Sequence, residues 1–179
     1  PMSRDLFWPG TLDMISYENK IYAVPTNTSG NVITYNREVF EKYGLDLPRD
    51  DWTTEDFVRI GRQLSVKQDG GDFYETVAFM PVWPACFVFA VGGGYFTPDK
   101  KGVILDEPAG TRGLEFIGDC FREVDGVRLS PTMSDSLAGA QSVTDWTVNF
   151  KSGRVGMVSA GRWILSITGP TFRYGYAPI

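Results

Sequence analysis

Histidine is absent from all 179 residues. That absence removes Ser-His-Asp and Cys-His nucleophile systems, and His-ligated zinc, from the chemistry open to this chain. Only two cysteines occur, Cys86 and Cys120, and they have no CxxC spacing, which excludes a zinc knuckle or a thioredoxin-type motif. Each stands in an apolar helical stretch and reads as a buried free thiol, the common state of unpaired cysteine. A disulfide between them stays open at this stage. No Lys/Arg-rich run appears and the net charge is −5. Nucleic acid is therefore not an expected partner, because neutralising phosphates needs a basic face. No apolar stretch is long enough to span a bilayer. The opening, PMSRDLFWPG, has neither the basic start nor the apolar run of a signal peptide. Methionine stands second, behind Pro1, so the chain is expected to be a piece of something longer.

Hydrophobic residues make up 42% of the sequence and charged residues 22%, the balance of a soluble globular protein. Aromatics are high at 14%, which suits a dense core or a surface that stacks on flat ligands.

Along the chain, strand and helix signals alternate. A turn at Glu18-Asn19 leads into a strand signal, Ile21 to Val24, stopped by Pro25. Val32 to Asn36 is β-branched and alternating, hence a strand. Asn36 can cap a helix from Arg37 to Tyr43, closed by Gly44. Thr53 and Asp56 form a capping box, and Trp52 can staple onto Phe57 ahead of a face made by Phe57, Ile60 and Leu64. ETVAFM reads as a buried strand and WPACFVFAVGGG as an apolar helix ended by glycines. Asp106 is the expected cap of the next helix, with Pro108 in its first turn and a stripe of Leu114, Ile117, Phe121 and Val124. Ser142 with Asp145 can cap a helix through Trp146 and Phe150 to Gly153. RVGMVS is a strand, RWILSI a short helix and YGYAPI a final strand. The alternation calls for an α/β fold with a parallel or mixed sheet, and with Val32–Tyr35, Val77–Phe79 and Val155–Val158 in one sheet.

Most conspicuous motifs have plain explanations. Gly92–Gly94 is followed by no Gly-Lys-Ser/Thr and completes no GxGxxG, so it reads as a helix stop rather than a phosphate cradle. Asn27-Thr28-Ser29 satisfies a glycosylation sequon, with a ligand-contacting polar turn as the competing reading. Glu55, Asp56, Asp106 and Asp145 look like helix-start residues, and nothing singles out the carboxylate pair a glycosidase needs. Trp83 and Trp163 differ. Each stands beside backbone breakers (Pro81 and Pro84, or Gly161) and opens an apolar helix directly after a strand. In open α/β sheets, ligands bind outside the carboxyl ends of strands, where such helices begin. A tryptophan there either presents its face to a ligand or closes the sheet end as core.

The order of motifs resembles the extracellular solute-binding proteins of ABC importers, the sugar-binding branch that includes maltose-binding protein. Lys20 to Pro25 is similar to the family's Gly-Lys-Ile-Tyr-Gly-Leu-Pro strand, and Ile33 to Asn36 to its Leu-Tyr-Tyr-Asn. Tyr43 to Leu45 is similar to its Ala-Gly-Leu, and Trp52 to Phe57 to its Pro-x-Thr-Trp-x-Glu. VWPACFVFAVGGGYF, DEPAGTRGLEFIGDCF and FKSGRVGMVSAGRW resemble the later helices and the Gly-x-Trp segment. The resemblance implies a periplasmic-binding-protein-like α/β lobe, with a mixed sheet flanked by helices. Its boundaries would be 1–25 for the end of a first lobe and a hinge strand, 26–173 for the second lobe and 174–179 for the return strand. It implies a carbohydrate held in an interlobe cleft and delivered to the permease subunits of an ABC transporter. The expected location is outside the cytoplasm, with membrane attachment only through a lipid anchor outside this chain.

Carried over residue by residue, Trp163 falls on the aromatic that stacks on a pyranose, and Trp83 falls close to a second stacking aromatic. Asn27, Thr28 and Ser29 fall on the polar segment that hydrogen-bonds the ligand. Arg162 stands where the family often has proline, and its guanidinium could reach hydroxyls or an acidic sugar. The resemblance implies no catalysis, no cofactor and no metal. The rivals are a carbohydrate hydrolase of the same class and a plain interaction domain whose tryptophans are core. The binding reading predicts a substantially exposed Trp163 on one concave face with Trp83 and Asn27–Ser29, while Ile164, Leu165 and Ile167 are buried. Loss of a first lobe would also leave Phe7, Trp8 and Ile179 uncovered.

Overall fold

The computed structural model describes residues 4–69, 71, 73–130, 136–137 and 146–179. The chain divides into two units, Pro1–Gly30 and Asn31–Ile179. In the first, a 3-10 turn at Arg4–Leu6 precedes helix α1 (Thr11–Met14) and the strands β1 (Ser16–Tyr17) and β2 (Lys20–Ile21). Glu18 and Asn19, both with positive φ, make the two-residue turn between these antiparallel strands. The strand expected at Ile21–Val24 starts earlier, at Lys20, and stops at Ile21, the last residue in register with β1. Trp8 is 79% exposed, whereas Phe7 is half-buried.

The second unit holds β3 (Val32–Asn36), α2 (Arg37–Lys42), α3 (Thr54–Leu64), β4 (Val66–Lys67), β5 (Phe73–Pro81), α4 (Cys86–Ala90), α5 (Pro108–Phe121), β6 (Ser136–Leu137), α6 (Trp146–Lys151), β7 (Val155–Ala160), α7 (Trp163–Thr168) and β8 (Tyr174–Ala177). They form a six-stranded mixed sheet in the order β4-β5-β7-β3-β8, with β6 pairing β5. β5 runs parallel to β7, and β3 is antiparallel to both β7 and β8. The three segments expected in one sheet therefore share one. Both faces are covered, which is why Ile33 to Asn36 are all buried rather than alternately exposed. One face packs Phe57, Phe79, Phe87 and Phe116 with Ile33 and Met157. Another cluster joins Val77, Met80, Val158, Phe150, Ile164 and Phe172.

The helix starts follow their local chemistry. Asn36 Oδ1 accepts from the N–H of Glu38 at 2.9 Å and of Val39 at 3.4 Å, while its Nδ2 donates to Gly153 O at 3.0 Å. Thr53 and Asp56 make the reciprocal capping box, and the Trp52 and Phe57 rings lie 5.5 Å apart as the staple. The caps proposed for α6, Ser142 and Asp145, lie outside the described residues. α5 departs from expectation at two points. Its N-cap is Glu107, with no side-chain cap bond, so Asp106 does not cap it. Its buried face is Gly110, Gly113, Phe116 and Cys120, and Leu114 is 46% exposed. Neither glycine leaves room for a side chain: Gly113 faces α4, and a Cβ on Gly110 would collide with the Leu105 backbone just ahead of α5. A Cβ on Gly113 would stand 2.6 Å from Val88 Cα. Gly92, with φ +79, ends α4 in the left-handed conformation, and Gly93 packs against Gly110, so the triple glycine is a helix stop and a packing point.

Candidate functional site

Parallel β5 and β7 deliver their carboxyl ends to the same sheet edge, where Pro81 pairs with Ser159 and Val32 of β3 pairs with Ala160. Beyond these ends stand the two tryptophans, Trp83 two residues past Pro81 and Trp163 three residues past Ala160. The edge thus brings together, from two separate turns, the residue pair the sequence pointed to.

Their surroundings differ. Trp83 is 53% exposed. It sits between Pro81 and Pro84, before α4 begins at Cys86, rather than inside a helix as expected. Its carbonyl accepts from the Cys86 N–H at 3.3 Å and from the Cys86 thiol at 2.7 Å. Trp163 opens α7 and is half-buried against the cluster of Val158, Ile164 and Phe172. The expectation of a substantially exposed indole is corrected accordingly. Ile167, expected to be buried in its stead, is 61% exposed. With only Ile164 and Thr168 fully buried on α7, the indole supplies part of the apolar footing of this short helix. Gly161 is buried and takes no left-handed φ, so the turn before Trp163 does not depend on glycine's conformational freedom.

Arg162 is exposed at the N-cap of α7. Its charge reaches the phenol of Tyr176 on β8. Burial raises that pKa above the usual tyrosine value, helped by neighbouring Tyr174, and Arg162 opposes the rise. Tyr174 and Tyr176 face outward together, rings 5.9 Å apart. Sequence reasoning did not nominate them. The alternation in YGYA was a signal for a shared face, but only strand pairing reveals that the face is open. Asn27, Thr28 and Ser29 belong to the first unit, where all three are exposed and outside regular secondary structure. Ile179 is half-buried against the core of the second unit, beside the Pro178 carbonyl that accepts from Trp52 Nε1 at 3.0 Å.

A cavity of about 240 Å³ lies among Ile33, Trp52, Phe57, Phe87, Phe116 and Ile179. Neither Trp83 nor Trp163 lines it. Among the described residues, no cluster of three or more Cys, Asp or Glu side chains could hold a metal ion. Among the described residues, the carboxylates whose pKa is displaced are all displaced downward. For Glu55 the first cause is backbone hydrogen bonding at the start of α3, for Asp56 its bond to Arg59, and for Asp99 its bond to Thr97. A general acid for glycoside cleavage needs displacement in the other direction. Cys86 and Cys120 are free thiols, the first half-buried and the second buried.

A mixed α/β sheet flanked by helices, with aromatic turns at the ends of its parallel strands, defines a lobe of the periplasmic-binding-protein type. The chain belongs to the bacterial extracellular solute-binding protein family, whose model matches residues 2–179. Among curated relatives, the melibiose/raffinose/stachyose-binding protein MelE of Bacillus subtilis is 24% identical over 125 residues, covering 66% of this chain and 27% of the relative. An uncharacterised ABC transporter extracellular-binding protein of Pyrococcus horikoshii is 37% identical over 111 residues, covering 58% of this chain and 24% of the relative. The solved ABC substrate-binding protein Lmo0181 of Listeria monocytogenes, in complex with cycloalternan, shares the fold with a TM-score of 0.72 at 20% identity. That match covers 98% of this chain and 43% of the other. The chain thus spans about a quarter of the length of these curated relatives and less than half of that solved chain.

Proposed function

We propose that this chain is the second lobe of a carbohydrate-binding protein that presents a mono- or oligosaccharide to the permease of an ABC importer outside the cytoplasm. The observation that carries the reading is the position of Trp83 and Trp163, beyond the carboxyl ends of neighbouring parallel strands in a chain of this family. Sugar rings offer apolar C–H faces and polar hydroxyl edges. A site for them needs aromatic faces with hydrogen-bonding groups around them. Trp83 and Trp163 supply the faces, and Arg162 supplies a cation at the rim. The boundaries expected from the sequence, with lobe crossings near residue 25 and at 174–179, are part of this reading. Closure against a first lobe would hide the sugar from water, and the closed form would be the one a transporter recognises. The names of MelE and of the cycloalternan-bound protein support a sugar as the ligand class.

No chemistry is performed on the ligand in this reading. Calorimetric titration of the intact protein with raffinose, maltotriose and cycloalternan, followed by chromatography of the recovered sugar, tests it. Saturable binding with the sugar recovered unchanged is the expected result. Cleavage of the sugar would favour the hydrolase, and the absence of binding to any saccharide in a broad panel would favour the interaction domain.

A further inference from the structure

β8 stands at the end of the strand order, and its tyrosines, Tyr174 and Tyr176, are 40% and 44% exposed. Tyr174 pairs with Asn36 and Tyr176 with Thr34, which also pairs with Val158 of β7. Paired residues share a face of a sheet. The tyrosines therefore stand on the face of the Val158 cluster, against which Trp163 packs. Gly175, between them, belongs to the other face, where the Tyr35 ring occupies the space its Cβ would need. One face of β8 is thus packed, and the tyrosine face is open. β3 is antiparallel to both β7 and β8, so β8 runs parallel to β7 and β5 and ends on the same edge as they do. From β5 through β7 and β3 to β8, aromatics recur along that edge: Trp83, then Trp163, then Tyr176, the next-to-last residue of its strand. Neighbouring strands lie about 4.8 Å apart, so the row spans about 14 Å, the length of about three linked pyranose rings.

We propose that Tyr176, braced by Tyr174, is a further saccharide contact, and that the ligand is a trisaccharide or longer, lying along the edge from the Trp83 turn past the Trp163 turn to β8. The inference rests on the reading of the two tryptophans as sugar contacts. The tyrosine rings lie 5.9 Å apart with 69° between their planes. Such a corner offers one ring face to the C–H face of a pyranose, while the neighbouring phenol reaches its hydroxyl edge. Arg173, next in the chain, is engaged by Glu38 and Glu41, so the phenols rather than that guanidinium supply the polar contacts here. The row also sets a dependence on length. A disaccharide on the tryptophans stops short of Tyr176, and only a longer chain reaches it.

The test titrates the intact protein calorimetrically with melibiose, raffinose and stachyose, and with maltose, maltotriose and maltotetraose. Each series lengthens from a disaccharide to a tetrasaccharide. Wild type should bind the tetrasaccharide of the series it accepts more tightly than the disaccharide. Tyr176→Ala should cut that gain about 3- to 10-fold, the worth of a lost stacking contact. Tyr176→Phe keeps the ring and should retain most of the gain. Tyr176→Leu keeps bulk without a flat face, should lose the gain, and carries the test if Tyr176→Ala fails to fold. Trp163→Ala should weaken binding at every length. A wild type indifferent to length overturns the inference. So does a Tyr176→Leu or Tyr176→Ala protein with the wild-type length profile, and so does one weakened equally for every length, which would mark the tyrosine as structural. If Trp163→Ala still weakens binding in those cases, the tryptophans remain sugar contacts and only the extension to β8 falls. Absence of binding to either series overturns the inference too, and the underlying reading then falls only if the broad saccharide panel also fails to bind.

Discussion

The crossing of α4 and α5 fixes where the Trp83 turn can sit, and a pair of glycines on α5 tests it. Gly113 faces α4, and a methyl group there would stand 2.6 Å from Val88 Cα, where ordinary contact begins at 3.4 Å. The obstacle is backbone, so no rotamer change relieves it, and α4 itself has to move. Overpacking of this kind costs about 1–3 kcal/mol, and a backbone clash belongs at the upper end. Replacing glycine inside a helix returns about 1 kcal/mol. Gly113→Ala should therefore destabilise by about 2 kcal/mol. Gly118, on the same helix, is exposed, and a methyl group added there would meet nothing within 4 Å. Gly118→Ala carries the propensity gain alone and should stabilise by about 0.5–1 kcal/mol. Urea unfolding followed by far-UV circular dichroism measures both against wild type. Opposite signs, with a gap of about 3 kcal/mol between the two, are expected. Equal stabilities, or a Gly113→Ala protein more stable than wild type, would show that the helices do not cross as described.

Other substitutions read other parts of the account. Asn36→Ala removes two accepted hydrogen bonds and one donated to Gly153 O at a buried position. It should cost about 2 kcal/mol, against about 1 for Thr53→Ala at an exposed cap, by the same urea assay. Burial above all, and then the charge of Asp119, pushes the Cys120 thiol up from 9.0 to about 12. From pH 9 upward the unfolded chain releases a proton that the folded chain keeps. This thiol's contribution is therefore complete below pH 9 and is lost toward pH 12. Stability should fall by about 1 kcal/mol per pH unit across that window, and Cys120→Ala should flatten the slope. Alkylation by iodoacetamide at pH 8 should label Cys86 faster than Cys120 in the native state, because only Cys86 is partly accessible.

Much of the fold was legible because its signals are local. The Thr53 box, the Asn36 cap, the Gly44 stop and the β-branched run at Val32 each depend on a few neighbouring residues, and each forms as read. The α5 face was misread because periodicity registers bulky residues. The inward face here is set by Gly110 and Gly113, whose importance lies in the backbone opposite them, Leu105 for the first and Val88 of α4 for the second. The candidate site was legible in part for the same reason. Breakers beside Trp83 and Trp163 marked strand-to-helix turns, and pairing of β5 with β7 brings those turns to one edge. The burial of the Trp163 indole was not legible, because it depends on how few apolar residues α7 turns toward the sheet. Nor was the outward-facing pair Tyr174 and Tyr176, which depends on where β8 docks in the sheet.

The central claim is that the aromatic turns at this edge bind sugar, and Trp163 tests it most directly. Calorimetric titration of intact wild type and Trp163→Ala with the best-bound saccharide of the panel is the measurement, with unfolding curves recorded on both proteins. Stacking on a pyranose contributes about 1–2 kcal/mol, so the variant should bind about 5- to 30-fold more weakly. The indole is half-buried, so a stability loss of about 1–2 kcal/mol is also expected, with the variant still folded under the titration conditions. A folded Trp163→Ala protein with wild-type affinity would contradict the account and leave the indole as core.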